Sequence, residues 1–208
     1  MEGRTTLMAL CIAITIFFRV LGALGSGKAQ QLQVPPPAIF VFGDGAVDVG
    51  NNNYLEANDA SEPVQANHPF YGIDFPNSKA TGRFSNGYNL ADFIAKAMGL
   101  KISPPAYLSL PGERVNSITG VNYASEGAGI WNITNYNGVS IHLLMQVDYF
   151  AATKSQMKTK LGNSELKNLL SKSIFLLDIG TIDIFYIWNR QFYTMDDNEI
   201  NIPNLITS

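Results

Sequence analysis

The sequence predicts an α/β fold: a parallel sheet with helices on both faces. Three observations point there. Short apolar runs at 38–42 and 173–179, bounded by Pro or Gly, have the length and composition of buried strands. Apolar residues recur at helical spacing after Gly87 and again across 140–161. The elements alternate in the order strand, helix, strand, helix, strand. A strand that returns through a helix comes back parallel, and successive helices cover the two sheet faces.

Taken in order, residues 1–29 read as a secretory signal peptide. Arg4 supplies the positive end, and Leu7 to Phe18 supply an apolar core too short for a comfortable membrane span. Ala23-Leu24-Gly25 and Gly27-Lys28-Ala29 offer small residues for cleavage, and Arg19 interrupts the run. An uncleaved anchor is the alternative. Cys11, the single cysteine, lies inside this segment, so a cleaved chain is expected to be extracellular or in the cell wall, without disulfides or stable membrane insertion. The remaining 35–208 form one domain.

Pro35, Pro36 and Pro37 lead into the first strand, and Gly43-Asp44-Gly45 breaks it. A strand that ends in a tight glycine turn is a place to present a nucleophile, because the sheet fixes the group and the turn exposes it. Asn51 to Asn77 reads as loop. Leu90, Phe93, Ile94, Ala97 and Met98 give the next helix its apolar face, with Ser85 or Asn86 as cap and Gly99 as terminator. Arg83 is expected to pair with a carboxylate. Pro104-Pro105 and Pro111-Gly112 mark another loop. In the helix over 140–161 the apolar face is Ile141, Leu144, Met145, Met157 and Leu161, and Lys154, Lys158 and Lys160 load its last turns. His142 near its start reads as structural or solvated. Ser164 can cap a shorter helix carrying Leu166, Leu169 and Leu170, and Pro203 to Ile206 look like the opening of another.

Composition narrows the function. The chain has 208 residues, is 46% apolar and 15% charged, and carries a net charge of -3. That is a globular protein with no broad attraction to nucleic acid or anionic membrane. Two histidines and one cysteine leave almost nothing for a metal site. Asn132-Ile133-Thr134 is an N-glycosylation sequon.

The run Phe42-Gly43-Asp44-Gly45-Ala46-Val47-Asp48-Val49-Gly50-Asn51-Asn52-Asn53-Tyr54 resembles the first block of the plant GDSL esterase/lipase family, a branch of the SGNH hydrolases. That block typically reads Phe-Gly-Asp-Ser-Leu-Val-Asp-Val-Gly-Asn-Asn-Asn-Tyr. His68 to Pro76, Thr81 to Gly87 and Asn89 to Ala95 continue the likeness, as do Gly120 to Ile130 and Gly180-Thr181-Ile182-Asp183. The resemblance implies a flavodoxin-like three-layer α/β/α sandwich with its C-terminal part missing. It implies a hydrolase of carboxylic esters, of lipid or acetylated polymer, that needs no cofactor. A small ester or an acylated polymer is the implied ligand.

Carried over by position, the nucleophile falls on Gly45, which has no hydroxyl. Gly127 matches the glycine whose backbone N–H serves the oxyanion hole, with Glu126 where the family has a second glycine. The oxyanion-hole asparagine falls on Ile182. Asp44 and Asp183 match, the latter as a structural residue. The family's Asp-x-x-His pair has no counterpart, because His68 and His142 stand in other contexts. A chain without these groups is expected not to hydrolyse esters, since losing the nucleophile or the base alone costs on the order of a million-fold. Ser85 and Ser125 lie in matched blocks but not at the strand-to-turn position. The alternatives are an active esterase whose sequence here is incomplete, and a secreted protein that binds acyl or glycan ligands without chemistry.

Overall fold

The structure is a computed structural model, and it describes residues 35–58, 61–111, 119–134 and 139–193. The expected signal peptide at 1–29 and the helix opening at Pro203 lie outside the described residues. Three strands form one parallel sheet in the order β2-β1-β3: β1 (Ile39–Gly43), β2 (Gly120–Asn122) and β3 (Ile174–Asp178). Ile39 pairs with Gly120 on one side and with Ile174 on the other, and Gly43 lies opposite Asp178. β1 is central and wholly buried, as its unbroken apolar run predicts.

Alternation along β1 sorts its side chains to two layers. Phe40 and Phe42 pack with Tyr107, Val121, Tyr123, Met157 and Leu166 under α2 (Leu143–Lys172). Ile39 and Val41 pack with Val47, Ala91, Ala95 and Ala124 under α1 (Leu90–Ala97). Helices thus cover both faces, and the expected three layers are present. β2 is only three residues long and shows no apolar run of its own.

Both main helices bury a stripe that only partly matches the one the apolar pattern selects. In α1 the buried residues are Ala91, Asp92 and Ala95, while Leu90 and Phe93 are exposed. Two alanines let the helix lie close on the sheet, and Asp92 is drawn in by Arg83. The cap is Asn89 rather than Ser85 or Asn86. Its side chain accepts the Asp92 N–H and the Asp92 carboxylate accepts the Asn89 N–H, a reciprocal capping box. Ser85 instead uses its hydroxyl within its own turn, on Tyr88 O and Gly87 N–H. Gly99, at φ +88°, ends the helix as expected.

Ile141, just ahead of α2, and Met157 and Leu161 within it lie inward as predicted, but Leu144 and Met145 are exposed, and the buried stripe includes Gln146 and Thr153. The predicted break is present as a kink: Gly162 takes φ 77°, ψ 168° inside the element. β3, expected to be buried, is buried only in part. Phe175 stacks on Phe40 at 5.3 Å between ring centroids, yet Phe175 and Leu177 remain exposed, as do Ile184, Phe185, Ile187 and Trp188 of α3 (Thr181–Tyr193). Among the described residues β3 is an edge strand, so its outer side has no sheet neighbour.

Candidate functional site

The C-terminal end of β1 is where the sheet meets three loops. Gly43 has φ +157°, and a Cβ there would lie 2.2 Å from the carbonyl oxygen of Asp178 on the neighbouring strand. Only glycine fits so close to another backbone. Gln146 reaches across from α2 and clamps the same residue. Its Oε1 accepts the Gly43 N–H at 2.9 Å, and its Nε2 donates to Gly43 O at 2.9 Å and to Ile141 O at 2.7 Å. The apolar pattern of this helix puts Leu144 and Met145 inward and gives no sign of the clamp.

The loop carrying Gly127 is fastened beside this turn by the residues that follow β1. Asn51 Nδ2 donates to the carbonyls of Asn122 and Ala124. Asn52 Nδ2 donates to Glu126 O, and Asn52 Oδ1 accepts the Ser125 hydroxyl at 2.5 Å. The Asp48 carboxylate accepts N–H groups from Gly50, Asn51 and Glu126. The Asn-Asn run is therefore a set of latches. The sequence alone gives this run no task. Gly127 turns with φ +81°. Among the described residues the backbone N–H groups of Gly45 and Gly127, both buried, donate to no acceptor.

Position 45 itself is occupied by something other than its own side chain. Gly45 is buried, and a Cβ built on it would stand 1.5 Å from Glu126 Oε2 and 2.7 Å from Glu126 Cδ. The Glu126 carboxylate fills the volume into which a residue at 45 would project. Asp44, 4% exposed, accepts the Ala46 N–H on Oδ1, while its buried Oδ2 accepts no hydrogen bond. Burial, and then the Asp44 charge, push the carboxyls of Glu126 and Asp178 above their usual range. Burial lifts the Asp48 carboxyl to about 7, against the pull of its three N–H donors. Acid groups thus bear on one another around the turn, and among the described residues no cationic side chain hydrogen-bonds to Asp44, Glu126 or Asp178.

The remaining candidates divide between structure and surface. Ile182 is half-buried in the first turn of α3 and has no donor to offer. Next to it, Asp183 is 3% exposed and accepts the Ile130 N–H at 3.0 Å and the Thr134 hydroxyl, tying α3 to the loop after Gly127. Asn132 is exposed beside this knot and Thr134 is buried in it. Ser125 is fully buried, with its hydroxyl committed to Asn52 and to the Ile141 N–H, so it is not poised as a nucleophile. His68 is exposed and faces Pro69 O, His142 stands at the start of α2, and among the described residues neither ring pairs with a carboxylate. Arg83 does pair with a carboxylate. It grips Asp92 through Nε at 2.7 Å and Nη2 at 2.9 Å. Burial alone would raise the Asp92 carboxyl, but Arg83 and the N–H groups of Asn89 and Ser103 hold it below its usual value. A cavity of about 440 Å³ lies between Arg83, Tyr54 and the 100–106 segment and includes neither Gly45 nor Glu126. Among the described residues no group of three or more His, Cys, Asp or Glu side chains is placed to hold a metal ion. No helix among them is long and apolar enough to cross a membrane.

Comparison with known proteins gives a consistent set of relatives. The family model for GDSL-like lipase/acylhydrolase matches residues 39–208. GDSL esterase/lipase At5g55050 of Arabidopsis thaliana is 42% identical over 185 residues, covering 83% of this chain and 48% of its own length. GDSL esterase/lipase At2g42990 of the same plant is 38% identical over 189 residues, covering 90% of this chain and again 48% of its own. GDSL esterase/lipase At2g04020, also from Arabidopsis, is 43% identical over 158 residues, covering 74% of this chain and 47% of its own. The chain thus spans about half the length of the curated relatives it matches. No solved structure matches it.

Proposed function

The chain belongs to the GDSL-like lipase/acylhydrolase family, and from that premise we propose that it keeps the family scaffold and has lost acyl-enzyme ester hydrolysis. One observation carries the reading: position 45 is glycine, and the Glu126 carboxylate occupies the space a serine side chain would need. Without a hydroxyl at that turn no acyl-enzyme can form by the family route. Ile182 removes a side-chain donor as well, and one such donor is worth on the order of a hundred- to a thousand-fold in rate. The acid groups around the turn oppose a developing oxyanion further. Both positions lie inside the chain, so the reading does not depend on its length. The N–H groups of Gly45 and Gly127, unpaired among the described residues, support the alternative of a protein that still binds an acyl or acetylated ligand without turnover.

Secretion to the cell exterior or wall, and glycosylation at the exposed Asn132, belong to the same proposal. The experiment is hydrolysis of short-chain p-nitrophenyl esters by the purified chain, with fluorophosphonate labelling alongside. Background turnover and no label are expected. A covalent adduct, or turnover at the rate of an ordinary esterase, refutes the reading.

A further inference from the structure

We propose that the cavity between Arg83, Tyr54 and the 100–106 segment binds a small organic anion: a compact carboxylate with an apolar body. Its size comes first. A volume of about 440 Å³ falls within the usual range for small-molecule sites, roughly 300–1,000 Å³. Tyr54, Lys101 and Ile102 line it and are exposed, so the space is reached from solvent.

The lining sets the charge of the ligand. Among the described residues Arg83 and Lys101 line the cavity and no carboxylate does, although the chain as a whole is net negative. Arg83 is 7% exposed and spends three of its five N–H groups. Nε and Nη2 donate to Asp92, and Nη1 donates to Thr81 Oγ1 at 3.1 Å. The other two donate to no acceptor among the described residues. Because Arg83 lines the cavity, a ligand oxygen held there is the acceptor they fit. Asp92 already balances the Arg83 charge. Lys101 is balanced by nothing: its ammonium makes no ion pair or hydrogen bond among the described residues. The lining as a whole is therefore positive, and a carboxylate can take charge-assisted hydrogen bonds from both side chains. The walls decide against a bare inorganic anion. Leu100, Ile102, Pro104, Pro105 and Ala106 offer apolar surface, which a hydrocarbon body covers and a phosphate leaves unused. The cavity includes neither Gly45 nor Glu126, so this assignment stands whether or not the chain hydrolyses esters.

The test is calorimetric titration of the full chain with sodium hexanoate at neutral pH. Hexanol, hexylammonium chloride and sodium phosphate serve as controls. Saturable binding of hexanoate is expected, with hexanol weaker by about tenfold or more, and none of hexylammonium or phosphate. Lys101→Met keeps the apolar stem and removes the charge of an exposed, unpaired residue, and should weaken hexanoate binding about tenfold. Ile102→Glu, also at an exposed position, puts a carboxylate into the lining and should abolish binding. Arg83 is left unaltered, because it holds the buried Asp92. No saturable hexanoate binding overturns the proposal, as does equal binding of hexanol, hexylammonium or phosphate. Unchanged hexanoate affinity in either variant also overturns it, because the ligand would then sit at the Gly45 turn or elsewhere. Ester turnover with hexanoate binding intact would sink only the loss of hydrolysis.

Discussion

Returning the missing hydroxyl should fail, and the structure says how. In Gly45→Ser the new Cβ arrives 1.5 Å from Glu126 Oε2 and 2.7 Å from its Cδ. The backbone is not the obstacle, because Gly45 is not among the glycines with positive φ. The whole conflict is with the end of one flexible side chain, which can swing away. That movement costs about 1–3 kcal/mol, the usual range for overpacking. Glu126→Gly alone empties the place and relieves an acid crowded against Asp44, so it should be near neutral. The double variant should then be more stable than the sum of the two single effects, with a coupling of about 1–2 kcal/mol. Urea denaturation of the four proteins measures it. Additive effects would mean that Glu126 does not hold the position described, and the reasoning about the site would fall. Neither variant should hydrolyse p-nitrophenyl esters above background. Gly45→Ser has no histidine–carboxylate pair among the described residues to activate its hydroxyl.

Further outcomes follow from the same contacts. Gly43→Ala meets backbone rather than a movable side chain, at 2.2 Å from Asp178 O, and should destabilise by about 3 kcal/mol or more in the same denaturation assay. Arg83→Ala strands the fully buried Asp92 carboxylate and should cost about 3–5 kcal/mol, with Arg83→Lys recovering only part because the paired contact is lost. Stability should also depend on pH. Asp48, with a folded value of about 7 against 3.8 unfolded, and the raised Glu126 and Asp178 stabilise fully below their unfolded values. That contribution is lost as pH rises through the folded values, up to about 7 for Asp48, at most on the order of 4 kcal/mol for that group. Asp92, held low by Arg83, acts oppositely and loses its contribution as pH falls through its folded value. Melting temperature should therefore decline from mildly acid to neutral pH, and Asp48→Asn should flatten that slope. Expression in a secreting host should give a chain whose gel mobility shifts on deglycosylation, and Asn132→Gln should abolish the shift.

Much of the architecture is legible in the amino-acid order alone. The central strand, the parallel α/β class, the Gly99 stop and the break near Gly162 all follow from local chemistry: apolar runs, glycine freedom and periodicity. So does the absent hydroxyl at 45, because it is a matter of which residue stands there. What the order does not reveal is which helix stripe faces in. Leu90 and Phe93 of α1 lose to Ala91 and Ala95, since close approach to the sheet favours small side chains over greasy ones. Leu144 likewise yields to Gln146, because the buried N–H and C=O of Gly43 demand a partner and only a long amide supplies both. Glu126 is the sharpest case. It stands 81 residues from position 45 in sequence, yet its Oε2 lies 1.5 Å from where a Cβ at 45 would stand. Only the folding of the Asn51–Asn52 latches onto the Gly127 loop decides that its carboxylate, rather than solvent, fills the vacant place.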